Sequence, residues 1–490
     1  MTLLNTHAPY ERAASPPPKT CSPSVTLDPT RSTLPPLALS GGDSRGAGCS
    51  VLMLVLLSLP RMATNMGWAA QWAALGPYLG TMLPRFAVQL TQLIGPLTGI
   101  IVAPTIGVLS DRSRCAWGRR RPFLLYGAVV SAACWMLMGY TRELGEFLGD
   151  TGDHRPWTAV LTIVFYAWMD VTVNVVQTPA LLIVADFAGD RQTLGAGIGQ
   201  ATSTLGSILV AGYIYAFGAA HLTLRWFLGM LSATMLISVG VVCIVAKETP
   251  LSKQHDLEAE TAGRDGIFHA FASIIHGLQT LPRVLVVYCV VFFCIQYGYT
   301  AYNGNKGQFF GLEVFEGNAT DADTCGSACS PAQQRYNHGV QLAGGLTDLL
   351  FNVVGYLYSW LLPLLVVRVG ASRVIMSASI PQALLLVMAF TKAADVDVAI
   401  VISTAITQAT IFALIVPVII HTFGPDADVG MYVGAMNSAN CFGQLLNFAV
   451  GAALVETQMG YALPVFVGGV SSLIAVLVSF FALKIDMHSM

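Results

Sequence analysis

Long apolar runs separated by short polar breaks are the dominant pattern of this chain. A membrane-spanning helix needs about 20 predominantly apolar residues. Twelve runs are read as such helices: 50–79, 86–108, 122–140, 157–187, 194–218, 225–246, 282–303, 340–366, 372–391, 396–422, 430–454 and 460–484. The first is interrupted by Pro60, Arg61 and Asn65, the fourth by Asp170 and Asn174. Polar groups at membrane depth are tolerated where they face protein or a water-filled cavity, so these two runs are expected to border an internal path. Residues 1–49, rich in Pro, Ser and Thr, are expected to be a disordered cytoplasmic tail. They do not read as a signal peptide, because the first apolar run begins only near Val51. The polar stretch 247–281 reads as a cytoplasmic central loop. It divides an N-terminal half, 50–246, from a C-terminal half, 282–484, and 485–490 forms a cytoplasmic end.

Composition turns these runs into membrane spans. The chain is 54% hydrophobic and 11% charged, against about 25% charged in soluble domains. The formal net charge of −2 gives nucleic-acid binding no electrostatic support. Between runs two and three, Asp111 is joined by Arg112, Arg114, Arg119, Arg120 and Arg121. Basic loops of this length stay on the cytoplasmic side, and an even number of spans then places both termini there. The loop after run seven falls outside. It holds the glycosylation triplet Asn318-Ala319-Thr320 and the pair Cys325/Cys329, either a small disulfide or two free thiols. No zinc-like cysteine spacing, triad or phosphate loop is present, so neither a cofactor nor a metal nor an enzyme is expected.

Two stretches in the second half echo the first. Residues 408–416 of run ten parallel 177–184 of run four, and 366–373 is a degraded copy of the arginine loop at the matching place. Two six-helix halves related by a parallel repeat, with a binding site at midplane between them, suit this pattern. The expected fold is all-α, with twelve transmembrane helices in two six-helix halves.

Several motifs resemble one branch of the major facilitator superfamily, the sucrose–proton symporters and their glycoside-pentoside-hexuronide relatives. The most specific are the loop from Ser110-Asp111-Arg112 to Gly118-Arg119-Arg120-Arg121-Pro122, and Asp170, Asn174, Gln177, Pro179 and Asp186 of run four. Gly67-Trp68-Ala69-Ala70-Gln71, Gly95-Pro96, Gln408, Pro417, Gly434 and Asn437 support it. The resemblance implies the major facilitator fold and proton-driven uptake of sucrose or another glucoside. The chain departs from the plant carriers at three places. Leu181 stands where they hold an arginine, Tyr302-Asn303-Gly304-Asn305 where they hold two aspartates, and an external-loop histidine has no counterpart beyond nearby Arg85.

Asp170 is the candidate proton-coupling residue. It lies about 13 residues into a run entering from outside, roughly 20 Å deep. Intramembrane acids are costly and by default functional, although a structural acid satisfied by polar neighbours fits the same position. Asn174 and Gln177 share its helix face, and carboxamides suit sugar hydroxyls as well as they suit interhelical bonding. Asn65, Gln71, Gln296, Asn303, Gln408 and Asn437 complete the candidate substrate-binding set. Arg61 could pair with Asp170 or snorkel to the cytoplasmic interface. Asp348, with Asn352 one turn on, is a second membrane acid, either titrating or set in a wet vestibule. Asp111, Arg112, Gly118, Arg119, Arg120 and Arg121 are expected to form a cytoplasmic gate, to fix topology, or both.

These readings lead to a secondary sugar transporter working by alternating access, its partners being a small sugar, protons and lipid. A uniporter, a carrier coupled to another cation and a non-transporting sugar sensor are the alternatives. One chain suffices for the pathway, so a monomer is expected, in the plasma membrane rather than a vacuolar or other internal one.

Overall fold

The structure, a computed structural model, describes residues 49–111, 113–151, 155–248, 272, 275–424 and 429–487. Among them all regular structure is helical. The spans are α1 (Val51–Leu79), α2 (Arg85–Asp111), α3 (Arg121–Met138), α4 (Pro156–Ala188), α5 (Leu194–Phe217), α6 (Ala220–Val245), α7 (Arg283–Asn303), α8 (Pro331–Val369), α9 (Ala371–Met388), α10 (Ala394–Phe423), α11 (Val429–Leu454) and α12 (Ala462–Ala482). By length and composition eleven of these can cross a membrane. The other is α11, long enough at 26 residues but diluted by Asn437, Asn440, Gln444 and Asn447. Large apolar side chains such as Trp226, Ile244, Trp360 and Phe481 point outward, the surface expected of a protein solvated by lipid.

Local chemistry sets the helix ends. Ser50 caps α1 by accepting from the Met53 amide (3.3 Å). Pro122, Pro156 and Pro331 occupy first-turn positions, where a missing N–H costs nothing. The start of α8 lies nine residues before the expected 340. Ser330 accepts from the Gln333 amide, and the Gln333 side chain accepts from the Ser330 amide. That reciprocal cap starts a polar helical turn ahead of the apolar run. Gly370, at φ 90°, separates α8 from α9 in a conformation that side chains resist.

Apolar cores fill each half. One is built around Trp135, Tyr166, Met169 and Phe227 of α3, α4 and α6. Another, around Tyr288, Phe292, Ile375 and Ile415, serves α7, α9 and α10. Small residues let helices close up: a Cβ on Gly468 of α12 would lie 3.0 Å from the Gly298 carbonyl oxygen of α7. Three π-helical turns interrupt this regularity, at Gln71–Leu75 in α1, Phe309–Val314 beyond α7 and Leu342–Thr347 in α8. The first and third meet across the halves, where a Cβ on Gly344 would lie 3.1 Å from the Ala73 Cβ. Each extra residue re-aims the side chains around it, Gln71 in α1 and Asp348 in α8.

The loop after α7 is fastened by a Cys325–Cys329 disulfide. Asn318 of the glycosylation triplet is exposed, its side chain accepting from the Thr320 amide (3.0 Å). The tail up to residue 48 and most of the central loop lie outside the described residues.

Candidate functional site

Asp170 and Asn174 are both buried on α4. Asn174 Nδ2 donates to the Asp170 carbonyl oxygen (2.9 Å) and to the Thr98 hydroxyl of α2 (3.3 Å). The Asp170 carboxylate oxygens are buried without a cation among the described residues, and the group against them is the Gln71 side-chain amide. Gln71 faces them. Its Nε2 donates to the Tyr166 hydroxyl (2.8 Å), and its Oε1 has no partner. Gly95 of α2 opens the space they share: a Cβ there would lie 3.0 Å from Gln71 Nε2 and 3.6 Å from Asp170 Oδ2. The acid thus lies buried beside an amide and without a cation among the described residues, a costly placement at membrane depth.

A band of carboxamides continues from this pocket toward the end of the bundle opposite the arginine loop. Gln92 of α2 and Gln308, just past α7, converge over Gly76, where a Cβ would lie 3.1 Å and 3.6 Å from their Nε2 atoms. Both amide groups are buried and unpartnered among the described residues. Gln89 Nε2 donates to Asn305 Oδ1 of the other half. Trp72 stacks on Phe448 beside them at 5.7 Å. Gln89 and Gln92 went unrecognised in the sequence because they sit at the start of the run 86–108, which is apolar on average, and Gln308 because it falls in the loop after run seven. Their i, i+3 spacing at 89 and 92 was the available signal.

In the second half the buried Lys306 side chain donates to Asp348 Oδ2 (2.5 Å) and Asn303 Oδ1 (3.0 Å), so Asp348 has a cation partner. Asn352 Nδ2 donates to the Asp348 carbonyl (2.7 Å). Gln296 and Gln408 do come together: Gln296 Nε2 donates to Gln408 Oε1 (3.0 Å) and Gln408 Nε2 to Gln382 Oε1 (2.7 Å). Gln382 anchors the chain on the Ile295 carbonyl (2.7 Å) and the Ser472 hydroxyl (3.0 Å).

Other expected site residues stand apart. Arg61 does not pair with Asp170. Its guanidinium lies against Gly199 of α5, where a methyl would overlap it. Arg61 is ten positions before Gln71, about 15 Å along the helix, which puts it out of reach of the acid. Asn65 is spent on α5, donating to the Ser203 carbonyl (2.7 Å) and the Ser207 hydroxyl (2.6 Å). Gln177 is exposed and accepts from the Trp68 indole N–H. Asn437 lies 3.9 Å from Cys441 Sγ within α11.

Three arginines of the loop find acids before the second half begins. Arg120 bonds Asp111 (2.5 Å), Asp186 at the end of α4 (3.2 Å) and the Ser110 hydroxyl (2.6 Å). Arg119 reaches Asp186 (3.3 Å) and Arg121 pairs with Glu248 (3.8 Å). Glu248 also caps the turn, accepting from the Arg120 amide (3.0 Å) beside Gly118, at φ 127°. Arg112 lies outside the described residues. Bridges between the halves gather at the opposite end. Arg142 forks onto Asp323 (2.8 and 2.6 Å), Tyr336 donates to the Pro77 carbonyl (3.0 Å), and the Phe86 amide donates to Glu456 (3.0 Å).

The family described as MFS/sugar transport protein matches residues 59–323. Among similar sequences, rice sucrose transport protein SUT5 is 28% identical over 308 residues, 56% of each chain. Arabidopsis thaliana sucrose transport protein SUC3 is 29% identical over 238 residues, 43% of this chain and 39% of its own. The matched region thus spans about half, or less, of these relatives' length. Among solved structures, the nucleoside transporter NupG superposes with TM-score 0.58 at 13% identity, covering 89% of this chain and 99% of its own. A D-xylose-proton symporter gives TM-score 0.54 at 13% identity, covering 89% and 97%. At such identities these two establish the fold, that of the major facilitators.

Proposed function

The chain belongs to the MFS/sugar transport protein family, and from that premise we propose that it is a secondary active sugar carrier that moves sucrose or a related disaccharide or glucoside together with a proton. The observation that carries this reading is the Asp170 carboxyl, buried in α4 against the Gln71 amide without a cation among the described residues. The proton sits on Asp170 when the pocket faces outside and leaves when it faces inside. Gln71, Asn174 and the outward amides Gln92 and Gln308 meet sugar hydroxyls, which both donate and accept. The two halves, 50–246 and 282–484, rock about the contact of their π turns. The bridges at the outer end belong to a state closed to the outside. One charge carried through 100 mV contributes about 2.3 kcal/mol, enough for roughly fortyfold accumulation.

Sugar-induced proton uptake in proteoliposomes, with an imposed pH gradient and a panel of disaccharides and hexoses, tests the reading. Proton flux with one sugar, lost in Asp170→Asn, is the expected result. Sugar flux without proton movement makes the protein a uniporter, a reading favoured by the neutral Leu181 and the Tyr302–Asn305 stretch. No flux with any sugar overturns both. Plasma-membrane location, a monomeric working unit and cytoplasmic placement of the tail belong to the same proposal.

A further inference from the structure

A cleft of about 330 Å³ opens at the outer end of the bundle, between the halves and away from Asp170. Tyr78, Arg142, His221 and Leu222 line it from the first half, Asp323 and Thr324 from the loop after α7. Two of these side chains keep a buried polar atom unpartnered among the described residues: Arg142 Nη1 and His221 Nδ1. The imidazole tautomer follows from its neighbours. Asn337 Nδ2 donates to the Ala322 carbonyl (3.1 Å), which turns Asn337 Oδ1 toward His221 Nε2 (2.7 Å). Nε2 therefore carries the hydrogen, and Nδ1 of the neutral ring is left as an acceptor. The cleft wall thus buries one spare donor and one spare acceptor, which a small shift of the side chains would bring to its surface beside Tyr78. Its formal charges cancel: Arg142 is matched by Asp323 (2.5 Å), and Arg225 at the rim pairs with Glu143.

A cleft of zero net charge, walled by ion pairs and an unmet donor and acceptor, suits a neutral polyhydroxylated molecule better than an anion. We propose that this cleft is a second, external sugar-binding site, distinct from the transport pocket; the proposal rests on the sugar-carrier reading given above. Because both halves line it, an occupant ties the Asp323 loop to the first half and holds the outer end shut.

Leu222 lines the cleft and is 40% exposed, so Leu222→Cys offers a reporter with little risk to folding. Full-length Leu222→Cys in proteoliposomes is labelled with a membrane-impermeant maleimide, with and without sucrose and the other sugars of the panel, glycerol serving as the osmotic control. At saturating sugar, labelling is expected to slow by about tenfold, following the unoccupied fraction 1/(1 + [L]/Kd). The protection should persist with Asp170→Asn added and disappear with His221→Phe added. Thr324→Cys, from the opposite wall, should behave alike and covers the case in which the first variant fails to fold. A protein that transports a sugar but shows no protection by it at either cysteine overturns the cleft site alone. Protection lost with Asp170→Asn and kept with His221→Phe also overturns it, assigning the effect to the transport pocket. Protection without flux supports the cleft and removes the carrier reading. Neither flux nor protection overturns both.

Discussion

Each half sets an acid beside a π turn, Asp170 buried and Asp348 half-buried, and they treat it differently. In the first half Asp170 faces the Gln71 amide over Gly95 and has no cation among the described residues. In the second half Asp348 is held by Lys306 at 2.5 Å, with Asn303 sharing the ammonium. A paired buried charge is a fixed structural element, expensive to break but with little reason to change state. An unpaired carboxyl can change its charge without dismantling a bridge. Two acids of similar sequence context thus part into a mobile one and a fixed one, and residue type alone does not separate them.

The sharpest way to break this contrast is Asp170→Asn. In vesicles held at 100 mV, the roughly fortyfold accumulation available to a one-charge symporter should vanish while downhill exchange persists. Accumulation that survives would make Asp170 structural. The second test concerns the pair. Lys306→Met leaves Asp348 without its cation and should cost about 3–5 kcal/mol of stability, read as a lower melting temperature of the purified protein. Adding Asp348→Leu should recover most of that loss. If the single variant melts like the parent, the fixed-pair reading fails. A third test turns to the outer end. Arg142→Met removes the fork onto Asp323 and should cost about 2 kcal/mol or more. External labelling of a cysteine placed at Thr81 should rise accordingly, tenfold for each 1.4 kcal/mol. The smallest effect belongs to Ser330→Ala, which removes the cap of α8 at about 1 kcal/mol. Faster amide exchange confined to residues 331–341 would identify it.

Much of the fold is legible in the sequence, because lipid imposes a coarse demand: one apolar run for each crossing. The twelve runs fall on twelve helices. The exceptions have local chemical causes, such as the Ser330–Gln333 cap that starts α8 early. The site is less legible. Asp170 meets Gln71 over Gly95, Asn174 bonds the Asp170 carbonyl one turn back, and Gln296 meets Gln408. Lys306 escapes notice because it follows a helix end, where lysines are ordinary, and its partner is 42 residues away. Asp186 becomes the hub of the arginine loop from 66 residues off. Arg61 misleads in the opposite sense: the sequence gives its depth, while the groove made by Gly199 decides its direction. Spacing reports what shares a helix face, and it is silent on which helices will meet.

The arginine loop has a consequence for how the chain is made. Arg120 finds Asp111 and Asp186, and Arg121 finds Glu248, all before the second half begins, whereas Lys306 finds Asp348 entirely within that half. The arginine loop therefore carries its own counter-ions, whereas Arg142 at the outer end must wait for Asp323. As the ribosome delivers the first six helices, the charges of Arg119, Arg120 and Arg121 can be neutralised at once, without waiting for helices still to be synthesised. Separately expressed halves should for the same reason insert stably and find each other afterwards.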